Sequence, residues 1–146
     1  LLISKWHQPP THKIRHVKSM MHTAEGKSAH LNEIFYPKNK DGSMVKGFKN
    51  TYRRQLWDRP AYTITTYNGA ICSHDNVHPG RLIKSQKKIL FSDARVFTVY
   101  ELLILMSIPT SWNIPYWAHD SLIRHGIGEG LPPLVVNKLL SKLLNN

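Results

Sequence analysis

The chain has 146 residues and a formal net charge of +11; 41% of its residues are hydrophobic and 20% are charged. This length and composition allow one domain, or one small domain and part of another, and they argue against wholesale disorder. The longest apolar run, Leu102 to Met106, is too short to cross a bilayer, and the N-terminus lacks the features of a signal peptide. We therefore expect a cytoplasmic protein with no membrane partner. The missing initiator Met suggests a chain cut from a longer one.

The positive charge is concentrated in the first two thirds of the chain. Residues 1–95 hold 17 Lys or Arg against six Asp or Glu, whereas residues 96–146 hold three of each kind. An excess of cations suits a polyanionic partner, and a neutral segment suits packing against protein. The sequence therefore predicts two regions that meet between Ser92 and Phe97.

The first 45 residues have weak periodicity. Residues 13–21 fit a short helix or an edge strand equally well, and residues 31–36 are apolar enough to pack against a core. Residues 37–43 form a lysine-rich loop in which Asp41-Gly42 indicates a tight turn.

The densest group of cations lies between residues 46 and 59 and is interleaved with Phe48, Tyr52 and Trp57. Cations bind phosphates and aromatic rings offer a rigid contact surface, so the pattern is typical of a nucleic-acid interface. A solvated strand with its aromatic side chains turned inward explains the pattern equally well. The cations are Lys46, Lys49, Arg53, Arg54 and Arg59.

Residues 61–67 alternate between two faces and are rich in β-branched and aromatic side chains, which predicts a strand. Asn68-Gly69 then indicates a tight turn, and residues 70–72 are expected to return as a second strand. Residues 77–81 are predicted to form a loop, and residues 84–88 a basic, exposed segment.

Helices are predicted after residue 97. Thr98 is a good N-cap, and Glu101 completes a capping box for a helix that Pro109 ends. A second helix is expected over residues 118–124, ending at Gly126. A third is expected to begin at Pro132-Pro133, with an apolar stripe that recurs every fourth residue.

Other constellations of reactive side chains have simpler explanations. Cys72, His74 and His78 would give a zinc ion three ligands where a structural site needs four, so no metal site is predicted. The adjacent Ser73, His74 and Asp75 cannot take the relative positions of a catalytic triad. Cys72 is the only cysteine, which fits a reducing compartment, and we expect it to be buried and structural rather than nucleophilic.

Three stretches carry a resemblance when they are taken together. Arg59 to Thr65 precedes His78-Pro79; Arg95, Thr98 and Glu101 lead through apolar residues to Pro109; and the residues from His125 to Pro133 come just before the last helix. In this order they resemble three sequence blocks of DNA (cytosine-5) methyltransferases, together spanning about residues 57–140.

The chain departs from the usual family pattern at three places. Tyr100 stands where the family usually has Arg, residues 106–109 read Met-Ser-Ile-Pro rather than Gln-Gly-Phe-Pro, and Glu129 replaces an Asn. The chain also lacks Phe-x-Gly-x-Gly, Pro-Cys, Glu-Asn-Val and Gln-x-Arg-x-Arg. The resemblance therefore implies no catalytic residue in this chain, which alone should be inactive.

The resemblance implies an α+β fold in which residues 1–94 form a small mixed-β target-recognition domain and residues 95–146 a helical segment that completes a methyltransferase domain. It implies restriction-modification methylation of cytosine from S-adenosylmethionine, with double-stranded DNA and an N-terminal catalytic part or large subunit as partners, in the bacterial cytoplasm near the nucleoid. The implied cofactor-binding residues are Gly128, Glu129, Gly130 and Leu131. The implied DNA-binding residues are Arg53, Arg54, Arg59, Thr63, Thr65, Asn68, Arg81, Lys84 and Arg95.

Two other classes of function remain open at this point. A DNA-binding module without catalysis, or a small subunit that only binds duplex DNA, would show a steep salt dependence. A basic RNA-binding or ribosome-associated protein would prefer RNA or single strands, although it would leave the neutral helical tail without a purpose.

Overall fold

Four α-helices, two short 3-10 helices (Lys5–His7 and Ala29–Leu31) and one β-hairpin make up the regular secondary structure of the described residues, which confirms the α+β class. The structure is a computed structural model that describes residues 4–46, 50–72, 74–85 and 88–145; the side chains of Lys84, Ser85 and Lys88 lie outside the described part. The helices are α1 (Ile14–Met21), α2 (Val99–Leu105), α3 (Asp120–Glu129) and α4 (Pro133–Leu144), and the strands are β1 (Leu82–Ser85) and β2 (Lys88–Phe91).

The capping box predicted for α2 is present. The Thr98 hydroxyl accepts a hydrogen bond from the Glu101 amide at 3.2 Å, and the Glu101 carboxylate accepts one from the Thr98 amide at 2.8 Å. The helix ends at Leu105, and Ser107 then takes a positive φ of 53° shortly before Pro109. Local sequence therefore determines both ends of α2.

The main apolar core surrounds α2 and includes the N-terminal segment of the chain. Leu102 and Leu103 are fully buried, and Trp6, which precedes them by almost a hundred residues, packs in the same cluster. The Lys5 ammonium group donates to the Ala118 carbonyl at 2.9 Å, and the ring of His7 stacks on Tyr100 at 3.9 Å between centroids. The neutral region is thus packed against the N-terminal segment, and the division at residue 95 stays a prediction.

The β-hairpin lies where the sequence predicted only an exposed basic segment. Leu82 pairs with Phe91 and Ser85 with Lys88 in antiparallel register. The strand predicted over residues 61–67 is wrong, because these residues have no strand pairing and their backbone lies against α3 instead of a second strand. The turn at Asn68-Gly69 is present, with the Ala70 amide donating to the Tyr67 carbonyl at 3.1 Å. Residues 70–72 do not return as a strand.

Several expectations about burial are also wrong. Leu31 and Ile34 are 70% and 68% exposed, so residues 31–36 contribute little to the core, although Phe35 stacks on His22. Cys72 is exposed because it lies in a turn rather than in a buried strand. The open alternative over residues 13–21 is settled as helix α1, whose Met20 is buried in a second small cluster.

Helix α3 extends five residues beyond Arg124, the last residue of the predicted helix. It continues through Gly126 and Gly128 to Glu129, so the expected end at Gly126 is wrong. The turn expected over residues 126–133 is reduced to the short link between Gly130 and Pro132. Helix α4 begins at Pro133 as predicted, and its apolar side chains, among them Val135, Leu139 and Leu143, are exposed.

Candidate functional site

Glu101 lies at the centre of a polar cluster that joins α2 to the loops before it. Its two carboxylate oxygens accept hydrogen bonds from both terminal nitrogens of Arg95, at 2.7 and 2.8 Å. The same carboxylate caps α2 through Thr98, and the Nε2 atom of His78 lies 3.5 Å from it. Asp93 adds a second acidic contact to Arg95 at 3.4 Å. Such a bidentate ion pair fixes the Arg95 guanidinium group in one orientation.

The electrostatics of this cluster stabilise the charged pair. Burial alone would raise the pKa of Glu101, but the hydrogen bonds from Arg95 and Thr98 outweigh it and lower that pKa to about 2. The hydrogen bond to Glu101 raises the pKa of Arg95, and burial lowers the pKa of His78. Glu101 and Arg95 are therefore ionised at neutral pH, and His78 is held towards its neutral form. The charge of Arg95 is thus already paired with carboxylates inside the cluster.

Arg54, one of the implied DNA-binding residues, lies in the interior with none of its surface exposed. Its Nε atom donates to the Thr23 carbonyl at 2.7 Å, and one terminal nitrogen donates to the Pro79 carbonyl at 3.0 Å. Burial lowers the pKa of Arg54 to about 10, still well above neutral. The structure therefore does not place this side chain at a DNA surface. Among the described residues, its acceptors are the carbonyls of Met20, Thr23, His78, Pro79 and Ser92.

Asn68 is a second implied contact that the structure buries, at 3% exposure. Its amide nitrogen donates to the carbonyls of Thr65 and Arg124, at 2.7 and 2.9 Å. Arg124, which sequence reasoning missed, is 2% exposed and donates to the Phe97 carbonyl at 2.8 Å and to Asp120 at 2.6 Å. The spacing of Asp120 and Arg124, four apart on a helix, was the available signal. Asn68 thus ties residues 65–68 to α3.

The remaining implied DNA contacts differ in exposure. Arg59, Thr63 and Arg81 are exposed, and Thr65 is partly buried. Arg53 is held from several sides: it donates to the Gly26 carbonyl at 2.9 Å, lies 3.4 Å from Asp75 and stacks over Tyr62. Lys84 is on β1, but its side chain lies outside the described residues, as do Phe48 and Lys49 of the cationic group.

A cavity of about 260 Å³ is lined by residues of the exposed segment around Trp57 and by residues of α2. Trp57 and Arg59 line one side of it, and Glu101 and Leu105 line the other. The indole of Trp57 is 60% exposed and is fixed by a hydrogen bond of 2.5 Å to the Gly80 carbonyl. An exposed aromatic side chain held beside an arginine is suited to contacts with a planar or anionic group.

The implied cofactor-binding residues lie at the end of α3. A Cβ atom on Gly128 would come within 2.4 Å of the Thr65 carbonyl oxygen, so this glycine allows the helix to touch the backbone of residues 65–66. Gly130 caps the helix, and Leu131 is 76% exposed. The Glu129 carboxylate is exposed and lies 3.2 Å from His125. Gly128 therefore makes a packing contact, whereas the three residues that follow it are open to a ligand.

Two kinds of feature are absent from the described residues. Within the described ranges, no group of three or more His, Cys, Asp or Glu side chains is arranged to hold a metal ion. No helix in the same part of the chain is long and apolar enough to cross a membrane. The described residues do offer exposed cations, exposed aromatic side chains and an exposed apolar helix, all of which are suited to binding.

Comparisons with known proteins agree with the resemblance at a coarser level. The type II methyltransferase M1.HgaI of Avibacterium volantium is 43% identical over 141 residues, which are 97% of this chain and 39% of that protein. The type II methyltransferase M.AgeI of Thalassovita gelatinovora is 33% identical over 92 residues, which are 62% of this chain and 18% of that protein. No family model matches the chain, and no solved structure matches it.

The chain thus spans well under half the length of both methyltransferases that it matches. The match to the Avibacterium protein nevertheless includes almost every residue of the chain, so the cationic region and the neutral helical region are matched together. Along nearly its whole length, the chain is similar to a part of a type II methyltransferase.

Proposed function

We propose that this chain is the DNA-recognition and cofactor-pocket-closing portion of a DNA (cytosine-5) methyltransferase of the restriction-modification type. The observation that carries the proposal is the 43% identity to a type II methyltransferase over 97% of the chain. The block from Arg95 to Glu101 supports it, because its arginine and glutamate form the paired cluster that orders α2 against the cationic region.

In this proposal, sequence recognition belongs to the exposed side chains of the cationic region. Arg59, Thr63 and Arg81 are the described candidates, with Lys84 added from the sequence. Arginine and lysine hydrogen-bond guanine edges in the major groove, and threonine contacts either kind of base. In the same proposal, the loops that carry these residues are fixed by three less exposed side chains, those of Arg54, Asn68 and Arg95. Thr65 acts through its backbone, which contacts Gly128.

The cofactor proposal concerns the end of α3. S-adenosylmethionine would supply the methyl group, and its pocket would be shared with the catalytic part that this chain does not contain. The exposed Glu129 carboxylate and the apolar Leu131 side chain have the polar and apolar character that an adenosyl group requires, and Gly130 leaves the backbone open. Gly128 sets the position of this helix end rather than touching the ligand. Because its sequence has no Pro-Cys pair, the block that the resemblance would place at the catalytic centre, the chain is proposed to be inactive alone.

A hybrid enzyme tests the proposal. The stretch of the Avibacterium methyltransferase that matches this chain is replaced by this chain, and transfer of labelled methyl groups from S-adenosylmethionine to DNA is measured. The hybrid is expected to transfer methyl groups well above two controls, the truncated relative and this chain by itself. A stable, folded hybrid with activity no higher than the truncated relative would contradict the proposal.

The second candidate function is a module or small subunit that only binds duplex DNA. The exposed cations favour it as much as they favour a methyltransferase. The apolar side chains of α4 argue against it. Leu139 and Leu143 are exposed, and an apolar helix face that is open to solvent indicates a contact with another protein part, which an independent module does not require. The same hybrid assay separates the two, since a binding module would never restore methyl transfer.

A further inference from the structure

A lysine-rich turn contributes residues to two basic grooves. Of the residues predicted to contact DNA, only Arg53 lines either groove. Residues 38–44 fold back on themselves, with a bridge between Lys38 and Met44. Gly42 has a φ of 84°, and the Asp41 carboxylate accepts hydrogen bonds from both the amide and the hydroxyl of Ser43. The one acidic side chain of this turn is therefore occupied within it.

The first groove lies between this turn and α1 and encloses about 570 Å³. Arg15 and Lys18 line it from the helix, and Lys38 and Lys40 line it from the turn; none of its described lining residues is acidic. Tyr36 forms part of the wall, with the Lys38 ammonium group 4.7 Å from its ring. Four cations facing one concavity without a carboxylate leave a positive potential that the groove concentrates.

The second groove is lined by Met44, the last residue of the same turn, and encloses about 610 Å³. Lys27, Lys46 and Arg53 line it, again with no acidic residue among the described lining. Val45, the residue after the turn, lines both grooves, so the two grooves adjoin there. The two cavities together form one basic surface, which we name the twin-groove surface.

The walls of the first groove are held in place before any ligand binds. The Asn32 side-chain amide donates to the carbonyls of Ser19 on α1 and Phe35 beside the turn, at 3.1 and 3.2 Å. The ring of Phe35 stacks on His22 at 4.2 Å, and the Val45 amide donates to the Pro37 carbonyl at 2.9 Å. Because the backbone that carries these cations is already fixed, it needs little reorganisation when an anion enters.

We propose that the twin-groove surface binds the sugar–phosphate backbone of the target duplex and anchors it independently of sequence. This inference rests on the proposed function, which supplies duplex DNA as the polyanion. Lysines dominate the surface, and a lysine acts as a point charge that fixes position without reading bases. The exposed residues near Trp57 are then left to select the sequence.

Two double variants test the surface, one for each groove: Lys18→Gln with Lys40→Gln, and Lys27→Gln with Lys46→Gln. All four side chains are exposed, so the fold should persist. The control is Lys138→Gln with Lys142→Gln, which removes the same charge from exposed positions on α4. Binding of the full chain to fluorescent duplexes of two unrelated sequences is measured by anisotropy between about 50 and 200 mM salt.

In a plot of log affinity against log salt concentration, the slope is negative, and each lost phosphate contact makes it less steep by about 0.9. Each groove variant is therefore expected to lose roughly 1.8 from the slope, and roughly 10- to 60-fold in affinity at about 0.1 M salt, equally for both duplexes. The α4 control should keep the wild-type slope. Lys18→Arg with Lys40→Arg should restore it.

Other outcomes separate the inference from the function beneath it. If wild type binds duplex DNA and both groove variants keep its slope, the twin-groove surface is refuted while the proposed function stands. A loss confined to one of the two duplexes would also refute it, because the surface would then read sequence. Tighter binding to single-stranded RNA than to the duplex, or no binding of wild type to DNA at all, would overturn both.

Discussion

Replacing Arg54 by lysine separates a structural role from a DNA-binding role. The guanidinium spreads its donors over carbonyls from three separate parts of the chain, around residues 20–23, 78–79 and 92. A lysine ammonium is one point with three donors and cannot reach all of them. At least two buried carbonyls would lose their partner, each at a cost of about 1–3 kcal/mol. We expect Arg54→Lys to lower the free energy of unfolding by about 2–6 kcal/mol, a large part of the 5–15 kcal/mol typical of a domain.

Urea unfolding followed by tryptophan fluorescence measures this loss. With a slope of about 2 kcal/mol per molar urea, the midpoint should fall by about 1 M or more. The matched control is Arg81→Lys, at an exposed position where the midpoint should hardly change. An Arg54→Lys variant within about 0.5 kcal/mol of wild type, but with weakened DNA binding, would refute the structural role and return this residue to the DNA surface.

Three further changes have expected outcomes. Above its ordinary pKa of 4.5, the ionised Glu101 stabilises the fold by on the order of 2 kcal/mol, and this contribution is lost as the pH falls towards its folded pKa of about 2. Glu101→Gln should therefore remove the acid dependence of the melting temperature. A variant that keeps the wild-type pH profile would contradict the pairing with Arg95. Gly128→Ala should destabilise the fold by about 1–3 kcal/mol, because the added Cβ atom meets the Thr65 backbone. Gly126→Ala should stabilise the fold by up to about 1 kcal/mol, because a Cβ atom there meets no other atom within 4 Å. Equal effects of the two variants would disprove the close contact at Gly128. The exposed apolar side chains of α4 are expected to make the isolated chain self-associate, and Leu139→Lys should lower its sedimentation coefficient. An unchanged coefficient in a chain that does associate would show that α4 is not the contact.

The parts of the fold that were predictable depend on neighbours in sequence. Thr98 and Glu101 lie three residues apart, so the capping box and the start of α2 follow from local chemistry. The turns at Asp41-Gly42 and Asn68-Gly69, and the start of α4 at Pro133, are local in the same sense.

The wrong predictions concern segments whose structure depends on distant partners. Residues 61–67 alternate like a strand, but their backbone lies against Gly128, more than sixty residues later, and that contact replaces strand pairing. The hairpin of β1 and β2 was missed because its central residues are lysine-rich and polar, which resembles a loop. Helix α3 continues through two glycines because Ile127 between them is buried in the core.

The candidate site was predicted as a set of residue types rather than as an arrangement. Charge and family resemblance pointed to Arg54 and Asn68 as surface residues, but carbonyl acceptors brought together from several loops bury them both. Nothing in a linear sequence shows that these carbonyls converge. The pairing of Arg95 with Glu101 was foreseen only as a motif, and its role as an ion pair follows from the distances.

The base that carries the new methyl group tests the central claim most directly. DNA methylated by the hybrid of this chain and the catalytic part of the Avibacterium relative is digested to nucleosides and separated by chromatography. The account predicts that labelled 5-methylcytosine is the product, absent when either part is tested alone. Label in N6-methyladenine or N4-methylcytosine instead would contradict it.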